Sequence, residues 1–237
     1  MGMPIVVDVR DDVDASALGR LWGWLRWVDA TFSTYKPESE ISRLDRGDLE
    51  PDDADPAVRY VLERCQRLRQ ETGGYFDMRA GGRLDPSGFV KGWAVDRGVA
   101  LLEEAGLRNF AVNAGGDIWL AGGELPELEW RVGIEHPERH DCVAAVVEVR
   151  DGAVATSGAY ARGDHVLDPH TGRAPADVLS VTVTGPNLGL ADAYATAAFA
   201  MGPAGPSWTA RLRGGYEALT ILADGRVLST PGFPRAD

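Results

Sequence analysis

The chain has 237 residues, 44% hydrophobic and 25% charged, the balance of an ordinary globular protein, expected to form one domain over residues 1–237. Its formal net charge of −12 argues against the basic footprint that duplex nucleic acid requires, although one local lysine can still serve one phosphate. The opening MGMPIVVDVRDD has no cationic lead, and no later segment is apolar enough to span a bilayer, so a cytoplasmic setting without membrane insertion is expected.

Ile5 to Val9 alternates and reads as a first strand. Asp14 or Ser16 can cap the helix that follows, whose apolar face is Leu18, Leu21, Trp22, Leu25, Val28 and Phe32. Pro37 stops any helix, and Ser39 can cap a single turn with Ser42 near its third position. Tyr35, between the two, is a candidate for stacking on an aromatic ligand. Residues 45–57 are acidic and read as a solvated loop, followed by a helix from Pro56 to Thr72. Cys65 shares its apolar face with Val58, Val61, Leu62 and Leu68, which makes it a packing residue, and with Cys142 it forms no disulfide framework.

The stretch from Leu84 to Gly122 organises the chain. An acidic turn, Leu84 to Gly88, precedes Lys91-Gly92, and a helix is expected after them, with Val95, Val99 and Leu102 on one face and Gly106 at its end. Phe110-Ala111-Val112 and Ile118-Trp119-Leu120 read as strands around a turn from Asn113 to Asp117. A carboxylate, a lysine and glycine-rich turns at a helix start make a cradle for a phosphorylated ligand. Trp130 to Ile134 is a further strand. The segment from His136 to Cys142 looks like a metal motif but is better read as a polar loop, because Pro137 disrupts a helical His-x3-His spacing. Strands follow at Val143–Val149 and Ala153–Ser157, with Asp151-Gly152 as a hairpin signal. The segment from Gly158 to Gly172 is richer in Tyr, Arg, His and Asp than a connection needs. A strand over Leu179–Thr184 leads to an alanine-rich helix from Leu190 to Met201, which places Asp192 and Thr196 on one face. A last helix and a hairpin at 218–229 complete the chain.

Seven segments taken in order carry a resemblance: FSTYKPESEISRLD, GGYFD, LDPSGFVKGWAVD, VNAGGDIWLAG, VATSGAYAR, DHVLDPHTG and ADAYATAAFAMG. Each is weak alone, but the ordered set resembles the ApbE family, flavin transferases that move FMN from FAD onto a protein threonine. The resemblance runs from near the N-terminus to beyond residue 200. It implies an α+β fold of mainly antiparallel sheets packed with helices, T-fold-like, with the flavin cleft between two sub-halves. One departure stands out. The family commonly has a longer segment between its G-x-F-D and its D-x-x-G-x-x-K-G, whereas here Asp77 is followed almost at once by Asp85. The missing segment leaves the choice of acceptor open. The family's usual exported, lipid-anchored form is not expected here.

The resemblance further implies a magnesium-dependent reaction that releases AMP. Its match gives Asp192, Thr196 and the Gly88 carbonyl as Mg2+ ligands, hard oxygen donors suited to that ion. The bland alternative for Thr196 is a hydroxyl bonded back to its own helix. His165 matches the histidine of H-x-x-D-P-x-T-G and is, with Asp192, the candidate catalytic residue, as proton acceptor or phosphate positioner. Asp168 shapes the Asp-Pro turn. Met1, Tyr35, Tyr75, Phe76, Asp77, Asp85 and Lys91 match flavin-contacting positions, with Lys91 toward phosphate or ribose. Gly115, Gly116 and Asp117 are expected in the pocket wall. The implied partners are FAD and an acceptor flavoprotein with a threonine-containing motif. Two other readings stay open: hydrolysis of FAD to FMN and AMP, and FAD storage without turnover.

Overall fold

The structure is a computed structural model that describes residues 2–123, 128–158 and 166–236, with the backbone only at His140. Met1, His165 and the segment 159–164 lie outside the described residues. The architecture is α+β, with every strand pairing antiparallel, as expected.

Strand β1 (Ile5–Val9) leads into helix α1 (Ala15–Phe32), whose N-cap Asp14 accepts the Ser16 amide at 3.1 Å. Leu21, Leu25, Val28 and Phe32 are buried, the stripe that its periodicity requires. Helix α2 (Glu40–Arg46) is two turns rather than one; Ser39 caps it through the Ser42 amide at 3.1 Å, and Gly47 closes it in the left-handed conformation. The acidic loop contains a 3-10 turn at Pro51–Asp53 that buries Ala54. Helix α3 (Pro56–Glu71) buries Val58, Val61, Cys65 and Leu68. Burial pushes the Cys65 thiol up to about 12, so it packs and does not react.

Helix α4 (Ser87–Glu104) starts earlier than its glycines suggest. Asp85 accepts the Ser87 amide at 3.0 Å, and Pro86 precedes the first turn, where its missing N–H is harmless. Gly88, Lys91 and Gly92 are therefore helical, and the expected pre-helical turn ends at Pro86. The hairpin of β2 (Phe110–Ala114) and β3 (Asp117–Ala121) is also tighter than expected. Only Gly115 and Gly116 form its turn, with φ of 63° and 101°, the positive pair that a two-residue turn of this twist needs. Asn113 and Asp117 are strand residues.

Strands β4 (Trp130–His136) and β5 (Arg139–Val149) pair with each other as a separate two-stranded sheet. The expected polar loop shrinks to Pro137-Glu138, because His136 pairs with Arg139. Among the described residues no His, Cys, Asp or Glu cluster suits a metal. Strand β6 (Gly152–Gly158) does not pair with β5, so Asp151-Gly152 is not a hairpin turn. Instead the Asp151 carboxylate accepts the Gly122 amide at 2.7 Å and ties the crossover to the end of β3, which β6 joins.

After β7 (Val178–Gly185) come helices α5 (Leu188–Ala200) and α6 (Gly205–Thr209), then β8 (Glu217–Leu222) and β9 (Val227–Ser229). The seven-stranded sheet runs β1-β2-β3-β6-β7-β8-β9. Its two faces are both covered. Ala153, Ala155, Val181, Val183 and Ala218 join the main core with the helices, whereas Leu120, Val154, Leu219 and Ile221 meet Trp130, Ile134, Val147 and Phe233 of the hairpin side. The alanines on the helix side let α5 lie close to the sheet. Ala191, Ala193, Ala195, Ala197 and Ala198 are all fully buried, as befits a helix apolar on nearly every face. Among the described residues no helix is long and apolar enough to cross a membrane.

Candidate active site

The site grows from the crossing of α4 and α5. The two helices run antiparallel, and glycine makes their approach possible. A Cβ built on Gly92 would lie 2.5 Å from the Gly189 nitrogen and 2.5 Å from the Leu188 carbonyl. One built on Gly189 would lie 3.0 Å from the Trp93 nitrogen. Such close backbones bring together polar groups that a normal helix spacing would hold apart.

Lys91 and Asp192 meet at this crossing, with Lys91 Nζ 3.5 Å from Asp192 Oδ2. The ammonium also makes a shorter ion pair with Asp117 Oδ2, from the first residue of β3. Both carboxylates are nearly inaccessible, at 3% and 5% side-chain exposure for Asp117 and Asp192. Charges so buried need a partner nearby, and Lys91 supplies it to both. The other Asp117 oxygen accepts the Thr156 amide at 3.0 Å, which fixes the carboxylate to β6.

One turn beyond Asp192, Thr196 Oγ1 shares a 3.2 Å hydrogen bond with Ser157 Oγ of β6. The hydroxyl therefore reaches out of its helix. A Cβ built on Gly88 would lie 4.0 Å from Thr196 Oγ1 and 3.2 Å from the Phe76 ring. Phe76 is buried, and this contact brings the GGYFD segment to the start of α4. Thus Phe76, Gly88, Lys91, Asp117, Asp192 and Thr196 converge.

The other expected residues make contacts outside this cluster. Tyr75 packs edge-on against His170, with ring centroids 4.6 Å apart, and His170 Nε2 lies 3.1 Å from the Gly73 carbonyl. This joins the Asp168 turn to the end of α3. Asp168 shapes that turn as expected, accepting the His170 amide at 2.9 Å and the Thr171 hydroxyl at 2.9 Å. Asp77 pairs with Arg69 at 2.9 Å, and Asp85 accepts the Ser87 amide just ahead of α4. Gly115 and Gly116 turn the chain directly before Asp117. Tyr35 is 94% exposed on the loop after α1. Two open depressions lie among the described residues, and neither is lined by a residue of this centre. One, of about 550 Å3, is lined by Glu71, Tyr75, Trp208 and Arg211; the other, of about 530 Å3, by Asp168, Thr171 and Arg173.

Two side chains escaped the sequence reading. Ser157 lies within the quoted VATSGAYAR segment, but its hydroxyl contact with Thr196 depends on a strand and a helix far apart in sequence. Asp96 ends LDPSGFVKGWAVD one turn after Gly92, a spacing that could have marked it. Its carboxylate oxygens accept the Leu188 amide at 2.8 Å and the Gly189 amide at 2.9 Å. Burial raises its carboxyl to about 6 against the lowering effect of these amides.

Comparison with known proteins identifies relatives of the chain and of its fold. The model of the ApbE family matches residues 1–82 and 79–220, two stretches that meet where the segment after Asp77 is short. An FAD:protein FMN transferase of Treponema pallidum is 38% identical over 173 residues, covering 65% of this chain and 48% of that protein. One from Vibrio cholerae is 31% identical over 201 residues, covering 81% of this chain and 55% of that protein. The chain thus spans about half the length of the curated relatives it matches. Among solved structures, a flavin transferase ApbE from Vibrio cholerae superposes with a TM-score of 0.86 at 25% identity, over 98% of this chain and 95% of that one. An ApbE protein from Thermotoga maritima shares the fold, with a TM-score of 0.84 at 22% identity over 99% of this chain and 96% of that one.

Proposed function

The chain belongs to the ApbE family, and from that premise we propose that it transfers FMN from FAD to a threonine of an acceptor protein and releases AMP. The observation that carries this reading is the α4–α5 crossing, where side chains from matched segments far apart in sequence meet around two buried carboxylates. Catalytic and cofactor-handling groups are where buried charge is tolerated, because it serves the ligand.

In the transfer, the threonine oxygen forms a bond to the FMN phosphorus, the pyrophosphate bridge breaks, and AMP leaves. The hydroxyl proton passes to a base, for which His165 is the candidate. Lys91 is the cation for the substrate's phosphates or ribose. Its tighter pairing with Asp117 keeps the ammonium beside Asp192 without monopolising that carboxylate. Tyr75, Phe76, Asp77 and Asp85 flank the flavin and adenine parts of FAD, with Tyr35 as a stacking residue for one of these rings.

The donors at the crossing fit a hard cation: a buried carboxylate and a hydroxyl on one face of α5, with the Gly88 backbone against that hydroxyl. Asp192, Thr196 and the Gly88 carbonyl would hold Mg2+, which when bound neutralises charge on the pyrophosphate. The helical position of Gly88 makes its carbonyl the weakest donor of the three, because helix carbonyls are shared with the amide four residues on.

The test is AMP release from FAD with Mg2+, with and without an acceptor protein. Acceptor-dependent release supports transfer. Equal release without acceptor assigns hydrolysis, with water in place of threonine. FAD bound without turnover under either condition refutes both.

A further inference from the structure

Helix α5 carries Asp192 and Thr196, and its start is held in an unusual way. The first amides of a helix have no partner within it. Here Asn187, the residue before the helix, caps only the Leu190 amide, at 2.9 Å. The Leu188 and Gly189 amides are taken by Asp96, which belongs to α4. The cap is thus a bridge between two helices rather than a local stop. Asp96 lies one turn from Gly92, the residue whose missing side chain lets Leu188 and Gly189 approach. Close approach and double hydrogen bond act on the same two residues.

We propose that Asp96 is a positioning residue for the site: by gripping both amides at the start of α5 it sets that helix's rotation and depth against α4, and so places Asp192 opposite Lys91. Asp192 is one turn from the gripped amides and Thr196 one turn further. The opposing positions on α4 follow in antiparallel order, Asp96 and Gly92 against Leu188–Gly189, Lys91 against Asp192, and Gly88 against Thr196. A rigid helix transmits a change at Leu188 to Asp192 within that turn. An asparagine cannot reproduce the grip, because its amide nitrogen donates and would face one of the two N–H groups. The inference rests on reading Asp192 and Thr196 as the metal-holding side of an FAD site.

The test uses the full chain, with FAD and Mg2+ as probes and flavin fluorescence as the binding signal. Asp96→Asn is compared with Val147→Ala, a core change on the far side of the sheet chosen for a similar fall in Tm. The expectation for Asp96→Asn is FAD affinity without Mg2+ within about twofold of wild type, and a Mg2+ midpoint raised about tenfold. Val147→Ala should move neither. A midpoint unchanged in Asp96→Asn, or raised equally in Val147→Ala, overturns the proposal. If Asp96→Asn does not fold, Asp96→Ser retains one acceptor oxygen and carries the same expectation. A crystal structure of the variant supplies a second reading, independent of FAD: the Lys91–Asp192 separation should change by roughly 1 Å, and an unchanged separation overturns the proposal. A wild-type chain that binds no FAD refutes the proposed function, and the clamp is then decided by that separation alone.

Discussion

Replacing Gly92 with alanine tests the helix crossing on which the site is built. The added Cβ would lie 2.5 Å from the Leu188 carbonyl and the Gly189 nitrogen, all backbone atoms that no rotamer change can move. Restoring an ordinary contact near 3.4 Å requires the helices to separate by about 1 Å, and overpacking of this kind costs about 3 kcal/mol at its upper range. Alanine in place of glycine returns about 1 kcal/mol of helix propensity. The net loss is about 2 kcal/mol, which for a chain of this size lowers Tm by about 4–8 °C. Thermal unfolding followed by circular dichroism reads the change. Gly23→Ala, within α1 and with nothing within 4 Å of its Cβ, is the internal control and should gain up to about 1 kcal/mol. A Gly92→Ala protein as stable as wild type would refute the close approach, and with it the reason Lys91 and Asp192 meet.

Three other outcomes follow from the same geometry. Tyr35→Ala should leave stability within about 0.5 kcal/mol, because the ring is 94% exposed, while weakening FAD binding if the ring stacks; calorimetric titration beside a melting curve separates the two. His165→Asn should cut transfer by about 10²-fold with FAD affinity nearly intact, read in a single-turnover assay; unchanged binding and transfer would remove His165 from the mechanism. The Asp96 carboxyl, raised to about 6 from 3.8, binds its proton more tightly folded than unfolded, so the part of its contribution linked to protonation is fully present below about pH 4 and is lost as pH rises through about 6, while the two amide bonds to the carboxylate remain. The stability difference between wild type and Asp96→Asn should therefore fall between those limits, and a flat difference in denaturant titrations across that range contradicts the assignment.

Local signals were legible in the residues themselves. The stripes of α1 and α3 and the caps Asp14 and Ser39 follow from spacing and side-chain chemistry within one or two turns. The pair Asp192 and Thr196 also follows, since one helix places both. What could not be read depends on groups distant in sequence. Asp151-Gly152 has the composition of a hairpin turn, yet the Asp151 carboxylate meets Gly122 and the chain changes sheets there. The start of α4 was obscured by Gly88 and Gly92, which look like turn residues until the backbone contact of Gly92 with Leu188 shows why no side chain fits there. The pairing of Lys91 with Asp117 required the β2–β3 turn to close on two glycines rather than span Asn113 to Asp117, so that Asp117 is a strand residue. The motif order pointed to the right family because it samples both partners of such contacts, although no single segment reveals which atoms meet.

The most direct test of the central claim is intact-mass measurement of a candidate acceptor protein after incubation with the chain, FAD and Mg2+. The account predicts a mass gain of one FMN residue, localised to a threonine, with one AMP released per acceptor modified, and loss of both in Asp192→Ala. An unmodified acceptor across the flavin-carrying candidates, or the same gain in Asp192→Ala, would contradict it.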